Sequence, residues 1–136
     1  MGMRLLGHVL LVEDDAINQI VIKGLLGLIG CSVTTANNGQ DALDKLSKDD
    51  ASYDVVLMDV GMPDMDGMEV TRRVRQSQYK LKDIPIIALT GHINPKDKQG
   101  CLDSGMNAFI AKPTTKETLY QELSKYLKPT ECSTAN

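Results

Sequence analysis

The chain has 136 residues, 42% hydrophobic and 24% charged, which suits one domain built on a single substantial core. Eighteen acidic residues against 15 basic ones leave a formal charge of −3, so there is no overall attraction to nucleic acid or anionic lipid. The apolar runs are short and broken by charge, well under the roughly 20 residues of a membrane span, and the opening MGMRLLGH is too short and polar for a secretory leader.

In chain order, residues 1–7 read as an N-terminal extension to a domain covering 8–128. His8–Val12 is a short aliphatic run that predicts a strand, and Glu13, Asp14 and Asp15 follow it at once. Ile17, Ile20, Val21, Leu25 and Leu28 then recur at steps of three and four, one stripe of a helix that Gly30 should terminate. Cys31–Thr35 predicts a second strand. After the Asn37-Asn38 turn, Ala42, Leu43 and Leu46 mark a shorter helix. The third strand, Val55–Met58, runs straight into Asp59, and Val70 and Val74 belong to the helix beyond. Ile84–Leu89 predicts a fourth strand followed by Thr90, with Asn94-Pro95 capping and starting the helix that carries Leu102. Ala108–Ile110 predicts a fifth strand ahead of Lys112-Pro113. The last helix, with Leu119, Leu123, Tyr126 and Leu127, is opened by Thr114-x-x-Glu117, a capping-box spacing. The closing KPTECSTAN loses periodicity, so 129–136 is expected to be a flexible tail.

Strands without polar alternation, each followed by a helix, predict an α/β fold: a five-stranded parallel sheet covered on both faces. Cys31, Cys101 and Cys132 are an odd set with no metal-ligand spacing, and read as reduced thiols in a cytoplasmic setting. The basic run Arg72, Arg73, Arg75, Lys80 and Lys82 reads as a solvated helix face and loop, so direct nucleic-acid binding is not expected.

Ligands of open parallel sheets gather beyond the carboxyl ends of the strands. At those positions stand Glu13, Asp14 and Asp15, then Asp59, then Thr90, then Lys112. Each alone has an ordinary reading: Asp15 as a helix cap, Thr90 as a turn residue, Lys112 as a solvated amine. Together, on one edge, they make a different statement. Crowded carboxylates repel one another, a hard divalent cation relieves the repulsion, and Mg2+ is the natural choice with Mn2+ as an alternative. An aspartate nucleophile, a hydroxyl and an ammonium beside that ion specify phosphoryl transfer to a carboxylate.

LLVEDDAINQIV, VVLMDVGMPDMDG, IIALTGH and FIAKP, in this order, resemble the receiver domain of two-component response regulators from about His8 to Leu127. The resemblance implies a (βα)5 flavodoxin-like three-layer sandwich with strand order 2-1-3-4-5. It makes Asp59 the phosphoacceptor, served by a phosphohistidine on a sensor histidine kinase or histidine phosphotransfer protein. Asp14 matches the metal-binding acid, Glu13 acts largely through water, and Gly61 lends a backbone carbonyl to Mg2+. Thr90 and Lys112 match the hydroxyl and amine that hold phosphoryl oxygens, the latter beside a Pro113 bond that is usually cis in the family. Phe109 stands at the aromatic switch position, where relatives often carry Tyr; simple core packing is the other reading of it. Gly61 and His92 occupy positions that tune phosphoryl lifetime. The segment DDAINQIV is similar to receivers fused to hybrid sensor kinases, so the chain is expected to be the cytosolic receiver of a larger, membrane-anchored kinase, monomeric or weakly dimeric. Such a domain would catalyse its own phosphorylation and dephosphorylation.

Rival readings are a Mg2+-dependent phosphatase of the haloacid dehalogenase type, suggested by DMDGM at Asp64–Met68, a flavodoxin-like FMN carrier, and a receiver that only docks. In the first, the acid pair should follow a buried strand directly, whereas Pro63 precedes it. In the second, the first loop should be rich in Gly, Ser and Thr, not acids.

Overall fold

Three aliphatic runs make the centre of the molecule. In a computed structural model that describes residues 3–48, 50–60, 67–91, 95–112 and 114–131, they become β2 (His8–Val12), β4 (Val55–Asp59) and β5 (Ile86–Thr90). Around them lie β1 (Met3–Leu6), α1 (Ala16–Ile29), β3 (Ser32–Ala36), α2 (Gly39–Leu46), α3 (Gly67–Arg75), α4 (Pro95–Ser104), β6 (Ala108–Ala111), α5 (Lys116–Leu123) and β7 (Lys128–Glu131). The main sheet runs β3-β2-β4-β5-β6, every pair parallel. Counted within that sheet, the order is second, first, third, fourth, fifth, as expected.

Side-chain alternation divides the core in two. Leu10, Val12, Val56, Met58, Ile86 and Ala88 face α2, α3 and α4, meeting Leu43, Leu46, Val70, Val74 and Cys101. Val9, Leu11, Val55, Leu57, Ile87 and Leu89 face the opposite way, against Leu26 of α1 and Leu119 and Leu123 of α5. No helix among the described residues is long and apolar enough to cross a membrane.

Strand limits move by a residue or two. The fourth predicted strand begins at Ile86 rather than Ile84, because Pro85 has no N–H to give and Ile84 donates into a turn, to the Leu81 carbonyl at 3.0 Å. Asp59 and Thr90 are the last residues of their strands, paired with Leu89 and Ala111, rather than the first residues past them.

Most of the apolar stripe read for α1 faces outward, and of its five residues Leu25 packs, partly buried, against the core. Ile17, Ile20, Val21 and Leu28 are 72%, 71%, 52% and 67% exposed, while Ile22, Leu26 and Ile29 are buried. The sequence AINQIVIKGLLGLI is apolar on nearly every side, so periodicity offered two faces and chose the wrong one. Gly30 ends the helix as expected, at a left-handed φ of 113° with its N–H on the Leu26 and Gly27 carbonyls.

Three smaller expectations are corrected. Thr115, not Thr114, caps α5, its hydroxyl accepting from the Thr118 N–H at 3.2 Å. In α4 the buried residues among those described are Cys101 and Ser104, and Leu102 is 46% exposed. The segment read as a frayed tail starts with a strand: β7 pairs antiparallel with β1, Leu6 opposite Lys128 and Met3 opposite Glu131. Leu5 of this ribbon is fully buried.

Candidate active site at the carboxyl edge of the sheet

Each site residue is placed by the end of a strand. The Glu13 N–H continues the β2–β3 pairing by donating to the Ala36 carbonyl at 3.0 Å, which holds Glu13 at the sheet edge with 1% exposure. Asp59 closes β4 and is 5% exposed. Lys112 follows β6, its backbone N–H donating to the Thr90 carbonyl at 2.8 Å, so amine and hydroxyl residues are locked to one register. These anchors are backbone hydrogen bonds, which explains why short aliphatic strands suffice to aim polar side chains.

Lys112 joins the pocket. Its Nζ lies 3.1 Å from Asp59 Oδ1 and 3.2 Å from Glu13 Oε1. Glu13, Asp14 and Asp59 each bring a carboxylate oxygen within 4.8 Å of the others. Burial, and then the facing Asp59 carboxylate, push the proton affinity of Glu13 up; the Asp15 N–H and Lys112 pull the other way. For Lys112, burial disfavours the charge, but hydrogen bonding and attraction to Asp59, then to Glu13, outweigh it and hold its pKa above the ordinary lysine value. One ammonium serves two buried acids beside a third, exposed acid. That surplus of hard oxygen donors fits a divalent cation of the Mg2+ type.

The pocket encloses about 440 Å3. Glu13, Asp14, Asp59, Thr90 and Lys112 line its polar side, and Val60, Met68 and Cys101 its apolar side. Five of the six described candidates thus share one cavity, and Phe109 is not among the residues that line it. Asp15 also reaches it, but its carboxylate accepts the Ile17 and Asn18 N–H groups at 2.8 and 3.3 Å, the N-cap of α1. With that helix end already satisfied by a fixed acid, the loop cannot cradle a phosphate as a flavin carrier would. Gly61, His92 and Pro113 lie outside the described residues, as do Asp64, Met65 and Asp66 of DMDGM. Phe109 is half-buried in register with Ala88, and the Lys98 ammonium stands 5.1 Å from its ring centroid.

Sequence reading missed two supports. Gly67, at the start of α3, packs so closely on β4 that a Cβ there would sit 2.7 Å from the Asp59 carbonyl oxygen. Gln19 donates to the Glu13 carbonyl and, at 2.8 Å, to Asn37 Oδ1, tying the acid loop to the end of β3. The Asp-Gly pair at 66–67 was a visible hint for the first; nothing in the sequence marked the second.

A family profile described as "Response regulator receiver domain" matches residues 9–124. Hybrid signal transduction histidine kinase L of Dictyostelium discoideum is 38% identical over 128 residues, 92% of this chain and 8% of that protein. Sensor histidine kinase RcsC of Salmonella typhimurium is 42% identical over 118 residues, 87% of this chain and 12% of that protein. The chain therefore spans only a small part of the length of these relatives. Among solved structures, the receiver domain of sensor histidine kinase PA1611 from Pseudomonas aeruginosa aligns with a TM-score of 0.77 at 36% identity, covering 88% of this chain and 96% of that one. That structure has a magnesium ion coordinated in its active-site cleft.

Proposed function

Because the chain belongs to the response regulator receiver domain family, we propose that Asp59 is the carboxylate on which it takes up a phosphoryl group in two-component signalling. The observation that carries this reading is the Lys112 ammonium held 3.1 Å from Asp59 and 3.2 Å from Glu13, inside a pocket that Asp14 and Thr90 complete.

An Asp59 oxygen attacks the phosphorus of a phosphohistidine. The P–N bond breaks with its electron pair kept by the imidazole, whose other nitrogen carries the proton, so neutral histidine leaves and an acyl phosphate forms. Lys112 and the Thr90 hydroxyl hold the transferred oxygens, and the rigid strand ends keep donor and acceptor in line. Asp14, Asp59 and the Gly61 carbonyl would hold Mg2+ directly, with Glu13 through water; Mn2+ is the alternative ion. When bound, the cation offsets negative charge gathering on the phosphoryl group. Water attack on phosphorus later releases inorganic phosphate and restores the carboxylate.

The donor is a sensor histidine kinase or a phosphotransfer protein, and we place its footprint on the outward face of α1. That face is continuous with the pocket: Asn18 and Lys112 line both it and an adjoining hollow of about 310 Å3 with Val21, Ile22 and Thr114. Buried thiols at Cys31 and Cys101 suit a reducing, cytoplasmic location.

Incubation with acetyl phosphate and Mg2+, followed by intact-mass measurement, tests the assignment. One phosphoryl mass is expected on the native chain and none on Asp59→Asn or after chelation. Equal labelling of Asp59→Asn overturns it.

A further inference from the structure

Phe109 is the only phenylalanine of the chain, and it has no hydroxyl with which to be held in either of two positions. Its neighbours supply another means. In the β5–β6 register Phe109 stands opposite Ala88, with Thr90 opposite Ala111 two residues on. Alternation puts Ala88, Thr90 and Phe109 on the same face of the sheet, the face covered by α4. Ala88 brings only a methyl group to that face. The ring lies half-buried with the exposed Lys98 of α4 over it, 5.1 Å from Nζ to centroid. This is within the range at which an ammonium is attracted by an aromatic face.

The far end of α4 is fixed by a different residue. Arg75 donates to the Gly105 carbonyl through Nε and Nη2 at 3.0 and 2.9 Å, to Asn107 Oδ1 at 3.0 Å, and to the Lys82 carbonyl at 2.7 Å. Asn107 Oδ1 in turn accepts the Ile86 N–H at 2.9 Å, which ties the clamp to the start of β5. The C-terminal end of α4 is therefore stapled to α3 and β5. Of these two contacts, the one made by Lys98 is the exposed and weaker one.

We infer that Lys98 is a positioning residue that sets the resting state of Phe109: its ammonium holds the ring beneath α4 and away from Thr90 until Asp59 carries a phosphoryl group. The inference rests on the proposed role of Asp59 and adds to it a residue that acts through the ring alone. Loss of the contact shifts the resting population toward the inward ring by roughly two- to fivefold, the yield of one exposed ammonium–ring contact.

The single phenylalanine makes the test clean, because fluorophenylalanine labelling gives one 19F resonance. Its position is read in the unphosphorylated chain and after addition of Mg2+ and beryllofluoride, a phosphoryl mimic. The resting resonance of Lys98→Gln should move toward the beryllofluoride position, and Lys98→Arg, which keeps the cation, should stay with the native chain. A Lys98→Gln resonance identical to the native one overturns the inference, as does an equal displacement in Lys98→Arg. A native resonance that ignores beryllofluoride, in protein whose Asp59 still gains a phosphoryl mass, overturns the inference and leaves the phosphoacceptor standing. Absence of that mass gain removes both.

Discussion

A Cβ at Gly67 would lie 2.6 Å from Met58 Cγ, 2.7 Å from the Asp59 carbonyl oxygen and 3.3 Å from its carbonyl carbon. The methionine side chain can give way, but the Asp59 backbone is fixed by pairing with Leu89. Gly67→Ala should therefore push the Asp59 carboxylate out of place, at a cost of about 1–3 kcal/mol in folding stability. Misplaced by a fraction of an ångström to an ångström, Asp59 should label with acetyl phosphate roughly ten- to a hundredfold more slowly. Urea denaturation and the labelling time course read the two effects separately. Cys31 carries a pH effect at the other end of the sheet. Burial, and then the negative charge of Asp54, push its thiol from an ordinary 9.0 up to about 11. Between those values the folded chain keeps a proton that the unfolded chain has lost. The thiol's contribution is thus fully present below pH 9 and falls as pH rises through 11, by up to about 2–3 kcal/mol. The unfolding free energy should fall less between pH 8 and pH 10.5 in Cys31→Ala than in the native chain; equal falls would refute the account.

Helix α1 shows what amphipathic periodicity can and cannot decide. Its existence, its Asp15 cap and its Gly30 stop follow from local chemistry that the sequence displays openly. Its rotation does not, because Ile17, Ile20, Val21 and Leu28 make as good a stripe as Ile22, Leu26 and Ile29. Only the tertiary partners, Leu119 and Leu123 of α5 and Leu11 and Leu57 of the sheet, choose between them. The two faces should answer mutation oppositely. Leu26→Ala opens a void in the core and should cost about 2–5 kcal/mol. Ile20→Glu, on a residue 71% exposed, should change stability by less than about 0.5 kcal/mol. It should leave acetyl phosphate labelling unaltered while slowing transfer from a phosphorylated donor protein. Equal transfer rates would remove α1 from the docking surface. The strand-end residues were far more legible, since Glu13, Asp59, Thr90 and Lys112 are aimed by the strands beside them in sequence. Gly67 and Gln19 were not, because their importance arises from approaches between elements distant along the chain.

At the scale of the whole molecule, the acid pocket and the β1–β7 ribbon lie at opposite ends of the five-stranded sheet. The acid pocket lies beyond the carboxyl ends of the strands. The β1–β7 ribbon joins the amino end of β2, where Gly7 separates Leu6 from His8. Composition hid the ribbon: KPTE has a proline and two charges and lacks strand alternation, yet it pairs along its length with MRLL. What makes the pairing worthwhile is side-chain burial beneath it. Leu5 is 0% exposed against the α1–α5 side of the core, and Leu127 packs under Gly7, with a carbon 2.6 Å from where a Cβ would stand. The ribbon thus closes an otherwise open end of that core layer, a role independent of the pocket. Leu5→Ala should accordingly lower unfolding free energy by about 2–5 kcal/mol, since a fully buried leucine leaves a cavity that a two-stranded ribbon can only partly collapse into. The acid pocket, carried by backbone pairing among β2, β4, β5 and β6, should be untouched in the fraction that remains folded. Urea midpoints and acetyl phosphate labelling, measured on the same preparation at low temperature, separate these outcomes. A Leu5→Ala chain that is less stable yet labels Asp59 at the native rate is the expected result. A proportional loss of labelling would mean that the ribbon and the strand ends form one cooperative unit, with the site strained whenever the far end loosens.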